Sequence, residues 1–210
     1  ISMLSWENTH NWSGGTVVPL EMMKATSGVA RAAGLRVHLD GARLWNAVAA
    51  TGVNAAEFAL QADTVQFCFS KGLGAPIGSI LCGGDEVIAQ ARYLRKRFGG
   101  GMRQAGVIAA AALVALESRH RLGDDHLLAQ QLGEGIAGRF PDAVSLEQVQ
   151  TNMVLVHDHG LPVAAGEFKA RLEEAGVLVG STTKHTLRFV THRDVDADDV
   201  ERVHNVLGRL

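Results

Sequence analysis

Twice in the first seventy residues a short apolar run stops abruptly at a polar, glycine-bearing turn. Residues 35–39 (Leu-Arg-Val-His-Leu) lead into Asp40-Gly41-Ala42-Arg43, and residues 64–69 (Thr-Val-Gln-Phe-Cys-Phe) into Ser70-Lys71-Gly72-Leu73-Gly74-Ala75-Pro76. Runs of this length, bounded by turn residues, read as strands. Helical patterns lie around them. Residues 19–33 carry apolar Leu20, Met23, Val29 and Ala33, open on Pro19 and close at Gly34, as proline-first, glycine-last helices do. Further helices are expected at 44–50, 55–61, 86–96 and 104–118, the last burying a side of alanine, valine and leucine, with another strand at 77–81. Strands alternating with helices imply an α/β domain with a mostly parallel sheet.

Beyond about residue 120 the pattern changes. Helices at 124–139, 167–175 and 196–210 surround strands at 152–157, 177–179 and 187–191, and the last helix carries Val200, Val203 and Leu207 on one face. This order predicts a small α+β domain over 121–210 following a large domain over 1–120. The opening Ile-Ser-Met-Leu reads as the end of a buried strand, so the chain is expected to be the later part of a longer protein.

Composition narrows the function. Twenty basic and 22 acidic residues give a net charge of -2, which offers no electrostatic footprint for nucleic acid or an anionic membrane. No apolar run approaches the ~20 residues of a membrane-spanning helix. Two cysteines are too few for a disulfide framework or a zinc cluster and fit a cytoplasmic protein.

Three clusters could carry chemistry. In open α/β sheets the carboxyl ends of strands face the ligand crevice, which directs Asp40 and Arg43 toward a site; a turn with Asp40 capping the next helix is the alternative. Lys71 follows an apolar strand, where burial would lower its pKa and make its amine a nucleophile; the alternative is a lysine reaching out of a loop. Gly99-Gly100-Gly101-Met102-Arg103-Gln104 opens an apolar helix and would suit a phosphate, or would be a mobile loop. A lysine and an aspartate together meet the needs of pyridoxal phosphate, which bonds to an amine and requires an acid at its ring nitrogen. Ser181-Thr182-Thr183-Lys184 has the S-x-x-K spacing of a serine acyl-enzyme without its companion motifs. His157-Asp158-His159 lacks a third metal ligand at usable spacing and reads as a solvated loop.

Five segments taken in order resemble the low-specificity L-threonine aldolases: Glu7-Asn8-Thr9-His10-Asn11, His38 to Arg43, Ser70 to Pro76, Gly99 to Gln104, and Arg188-Phe189-Val190-Thr191-His192. That family belongs to the β-eliminating lyase and threonine aldolase group of the aspartate-aminotransferase-like (type I) pyridoxal-phosphate fold. The resemblance implies that Lys71 bonds covalently to pyridoxal 5'-phosphate and that Asp40 pairs with the pyridine nitrogen. It implies that Arg43 and Arg188 grip the substrate carboxylate, and that Lys96 and Arg103 lie near the cofactor phosphate and subunit contact. The implied reaction is retro-aldol cleavage of threonine, allo-threonine and other β-hydroxy-α-amino acids to glycine and an aldehyde, in a homodimer or homotetramer with shared active sites. Full-length members also carry an N-terminal portion with the phosphate-holding Ser/Gly/Thr loop, a ring-stacking aromatic residue and a substrate-side histidine; none is assignable here, so little turnover is expected from residues 1–210 alone. His38, on the strand face opposite Val37 and Leu39, is expected to be packed or hydrogen-bonded. A related β-eliminating lyase, or a partner-dependent subunit without activity of its own, are the competing readings.

Overall fold

The computed structural model describes residues 1–210 and divides them into two compact units, Ile1–Thr9 with Val18–His120, and His10–Val17 with Arg121–Leu210. The first contains strands β1 (Met3–Glu7), β2 (Arg36–Asp40), β3 (Thr64–Cys68) and β4 (Ser79–Gly83) and helices α1 (Leu20–Ala32), α2 (Leu44–Thr51), α3 (Ala55–Ala59), α4 (Asp85–Arg97) and α5 (Gly106–Glu117). Its sheet has the order β1-β2-β3-β4, parallel through β3 and antiparallel at β4. The mostly parallel α/β architecture is therefore as the sequence pattern predicts.

One face of β2 is closed. Val37 and Leu39 are buried there, and α1 packs against β1 and β2. Side-chain alternation turns His38 and Asp40 to the other face. His38 Nδ1 is 2.8 Å from Thr64 Oγ1 on the neighbouring strand, so it is hydrogen-bonded as expected. Helix α1 starts after Pro19 and ends at Gly34, whose φ of +73° closes the turn at no steric cost.

The second unit contains α6 (Leu122–Arg139), β5 (Met153–His157), α7 (Ala165–Glu174), β6 (Gly180–Thr183), β7 (Thr186–Val190) and α8 (Ala197–Leu207). Its antiparallel sheet has the order β5-β7-β6. Leu132, Ile136, Phe168, Leu172, Val154 and Leu187 form its core with Val200 and Leu207 of α8. Asp196 caps α8, accepting from the Asp199 amide at 3.0 Å in a capping box.

Four expectations are corrected. Residues 177–179 form no strand: the Val177 amide bonds back to the Leu172 carbonyl, closing α7, and the strand begins at Gly180. The start of β1 is not buried, since Met3 lies at the end of the sheet and is 51% exposed. Helix α5 buries only Ala112 and Ala115, while Val107, Leu113 and Val114 face outward. It also begins at Gly106, beyond Gln104 with its left-handed φ of 46°, so Arg103 and the glycine run precede the first turn instead of opening it.

Candidate active site

Strands β2 and β3 run parallel with Asp40 opposite Gln66. Both side chains therefore leave the sheet on the same face, and Gln66 Nε2 donates to Asp40 Oδ1. The same Oδ1 accepts from the Ala42 amide at 3.1 Å, which fixes the carboxylate in the turn after β2 and leaves Oδ2 without a hydrogen bond. That turn is itself strapped to β3, by Gly41 N to Gln66 O at 2.8 Å and Cys68 N to Ala42 O at 3.4 Å.

Two residues beyond Gln66, on the same face of β3, Cys68 Sγ is 4.0 Å from Gln66 Oε1. Lys71 Nζ in turn donates toward Cys68 Sγ at 3.4 Å. Asp40, Gln66, Cys68 and Lys71 thus form a continuous row of polar groups across two strand ends. Lys71 is exposed, because the chain leaves the sheet at Cys68; the burial expected of its amine is not found. Its loop is nevertheless held in place. Leu73 and Ala75 are buried, Gly74 N bonds Lys71 O at 2.8 Å, and Gly74 has a φ of +84°.

Arg43 is half-buried at the start of α2, directly after the Asp40 turn. Arg103 and Lys96 are exposed, Lys96 in the last turn of α4 and Arg103 in the turn before α5. Arg188 lies in the second unit on β7, where Nη1 donates to Asn11 Oδ1 at 2.8 Å and the buried Nε has no hydrogen-bond partner.

Gln66, Cys68 and Asn11 were not singled out from sequence. The alternation Thr64, Gln66, Cys68 against Val65, Phe67 carries the signal for the first two: polar groups on the face that Asp40 shares. The bond to Arg188 joins positions 177 residues apart, and no local pattern encodes it.

Gly41 is where this geometry is most vulnerable. A Cβ added there would meet Gln66 O at 2.9 Å and Leu44 Cβ at 3.0 Å, so Gly41→Ala should push the turn off β3 at a cost of about 1–3 kcal/mol. Urea unfolding of the two proteins should detect the loss; equal midpoints would contradict the packing.

Residues 1–159 match the family model described as beta-eliminating lyase. The chain belongs to the beta-eliminating lyase family. Among curated relatives, low-specificity L-threonine aldolase 1 of Arabidopsis thaliana is 40% identical over 200 residues, which are 94% of this chain and 56% of that protein. Low specificity L-threonine aldolase of Escherichia coli K12 is 39% identical over 204 residues, 96% of this chain and 58% of that protein. Leishmania major threonine aldolase shares the fold, with a TM-score of 0.78 at 18% identity over 99% of this chain and 60% of that one. The chain thus spans less than two thirds of the length of these relatives. In this chain a mostly parallel sheet belongs to the first compact unit and an antiparallel three-stranded sheet to the second.

Proposed function

We propose that this chain carries the covalent anchor and the acid of a pyridoxal-phosphate enzyme that cleaves β-hydroxy-α-amino acids, L-threonine and L-allo-threonine among them, to glycine and an aldehyde. The observation that carries the reading is the row from Asp40 through Gln66 and Cys68 to Lys71 on one sheet face. An aldehyde-reactive amine and a carboxylate with one free oxygen are the pair that pyridoxal phosphate requires, so these residues fit the group. When bound, the cofactor supplies a heteroaromatic ring that accepts the electron pair released as the Cα–Cβ bond breaks.

The chain's own residues have distinct tasks. Lys71 Nζ is exposed and would hold the cofactor through a bond to its aldehyde carbon. Asp40 Oδ2, unused by the turn, can hold the proton on the ring nitrogen and so keep the ring a strong electron acceptor. Arg43 and Arg188 are assigned to the substrate carboxylate, and Arg103 to the cofactor phosphate. A guanidinium suits both tasks because its planar donors match a carboxylate or phosphate bidentately. Fixing the carboxylate would hold the amino acid's Cα in one orientation for bond cleavage.

A homodimer or homotetramer in the cytoplasm belongs to the same proposal. The outward apolar side chains of α5 support a covered face, and the two free thiols, Cys68 and Cys82, suit a reducing compartment. Product analysis tests the reaction. With the cofactor added, threonine should yield glycine and acetaldehyde in equal amounts. 2-Oxobutanoate and ammonia from threonine, or pyruvate and ammonia from β-substituted alanines, without glycine, would contradict the aldol reading in favour of β-elimination.

A further inference from the structure

We propose that Cys68 and Lys71 form an oxidation-sensitive pair, in which a peroxide-oxidised Cys68 closes on the Lys71 amine in a reversible sulfur–nitrogen bond. The bond follows from the contact between the two side chains; that it withdraws the amine from pyridoxal phosphate rests on the anchor role proposed above. Lys71 Nζ lies 3.4 Å from Cys68 Sγ, just past the end of β3. Cys68 is half-buried and Lys71 exposed, so a small oxidant reaches the sulfur and the lysine side chain has room to move. An oxidised cysteine ordinarily condenses with a second thiol. Here the other cysteine, Cys82, pairs with Val65 across the ladder, whereas Cys68 pairs with Ser79. The two thiols therefore leave the sheet on opposite faces. What faces the Cys68 sulfur is an amine.

The backbone around the pair is held in place. Phe69 N bonds Gly78 O at 2.9 Å, Ala75 N bonds Phe69 O at 3.0 Å and Gly74 N bonds Lys71 O at 2.8 Å. Leu73 and Ala75 anchor the loop by burial. Only the flexible four-carbon lysine stem must shift to bring nitrogen against sulfur. The chemistry is a two-electron oxidation with hydrogen peroxide as the oxidant. The thiol sulfur takes one peroxide oxygen as a hydroxyl and becomes a sulfenic acid; the thiol proton leaves with the other oxygen as water. The neutral Lys71 amine then attacks sulfur. The S–N bond forms, the S–O bond breaks, and the departing hydroxide carries off an amine proton as a second water. A reducing thiol reverses the step by attacking sulfur and releasing the amine; a second thiol then frees Cys68 from the mixed disulfide. While it lasts, the linkage occupies the nitrogen assigned to the cofactor aldehyde.

The test uses the full 210-residue chain carrying Cys82→Ser, which removes the other thiol. Without cofactor, equimolar hydrogen peroxide should give a species lighter by two hydrogens, uncut by trypsin after Lys71 and restored by dithiothreitol. Cys68→Ser and Lys71→Arg should each abolish that species, and Lys71→Arg should leave a sulfenic acid that dimedone captures. Once peroxide is removed, pyridoxal phosphate added to the linked chain should give the absorbance band of lysine-bound cofactor only in the unlinked fraction, and dithiothreitol should restore the rest. Cofactor bound beforehand should prevent the linkage. If peroxide leaves Cys68 only as a dimedone-reactive or further oxidised acid, with trypsin still cutting after Lys71, the inference falls, while the band of the untreated chain still reports on the anchor. If the linkage forms and the full band nevertheless appears, the withdrawal of the amine is overturned together with the anchor role.

Discussion

Lys71→Ala is expected to abolish covalent attachment of pyridoxal phosphate, seen as complete loss of the absorbance band of lysine-bound cofactor. The chain has five lysines, and only Lys71 combines an accessible amine, a rigidly held loop and a polar row leading to a carboxylate. Arginine at this position should fail equally: it keeps a positive charge but offers no amine able to bond to the cofactor aldehyde. Asp40→Ala should act differently, leaving attachment possible while weakening retention, because it removes the ring-nitrogen partner and not the bond. A band that persists in Lys71→Ala at wild-type intensity would place the anchor elsewhere.

The second large effect concerns acid stability. His126 is buried on α6, and burial pushes its pKa from the ordinary 6.5 down to about 4. An unfolded chain therefore takes up a proton on this residue before the folded one does. Its contribution is fully present above pH 6.5 and is lost as the pH falls toward about 4. A shift of this size corresponds to about 3 kcal/mol. His157 shifts in the same direction, through burial and then the neighbouring His159, and adds to the loss. Asp125 works the other way: burial raises its pKa against the pull of Arg121, so over the window just above pH 3.8 the folded state gains relative to the unfolded. Urea unfolding at steps between pH 7 and 4 should show falling stability, and His126→Gln should flatten the slope. An unchanged slope in the variant would show that another group governs acid unfolding.

The two strand ends were legible because their signals are local. Apolar alternation followed by Asp40-Gly41 or by Ser70-Lys71-Gly72 marks both strand and turn, and β2 and β3 end within a residue of where that pattern stops. What the pattern could not give was depth. An apolar strand end suggested a buried lysine, whereas the chain turns outward after Cys68 and exposes it. Helix α5 misled for a similar reason: it is apolar all round, so periodicity could not say which side faces the sheet, and most of it faces outward. Residues 177–179 have strand propensity, but the backbone of Val177 is spent on closing α7.

The site was legible only in part. Asp40 and Lys71 are tied together through Gln66 and Cys68, whose roles depend on strand register and not on any motif. The turn His10–Val17 belongs with the second unit although it is flanked by the first, a long-range return that composition does not mark. The sequence pattern changes near residue 120, whereas nothing in it marks this excursion.

Borohydride trapping tests the central claim most directly. The 210-residue chain is mixed with pyridoxal phosphate, reduced and digested, and the phosphopyridoxyl group is located by mass spectrometry among the five lysines. The modification should reside on Lys71, with Lys24, Lys96, Lys169 and Lys184 unmodified at stoichiometric cofactor. A label spread over the other four, or absent from Lys71, would contradict a site built on the ends of β2 and β3.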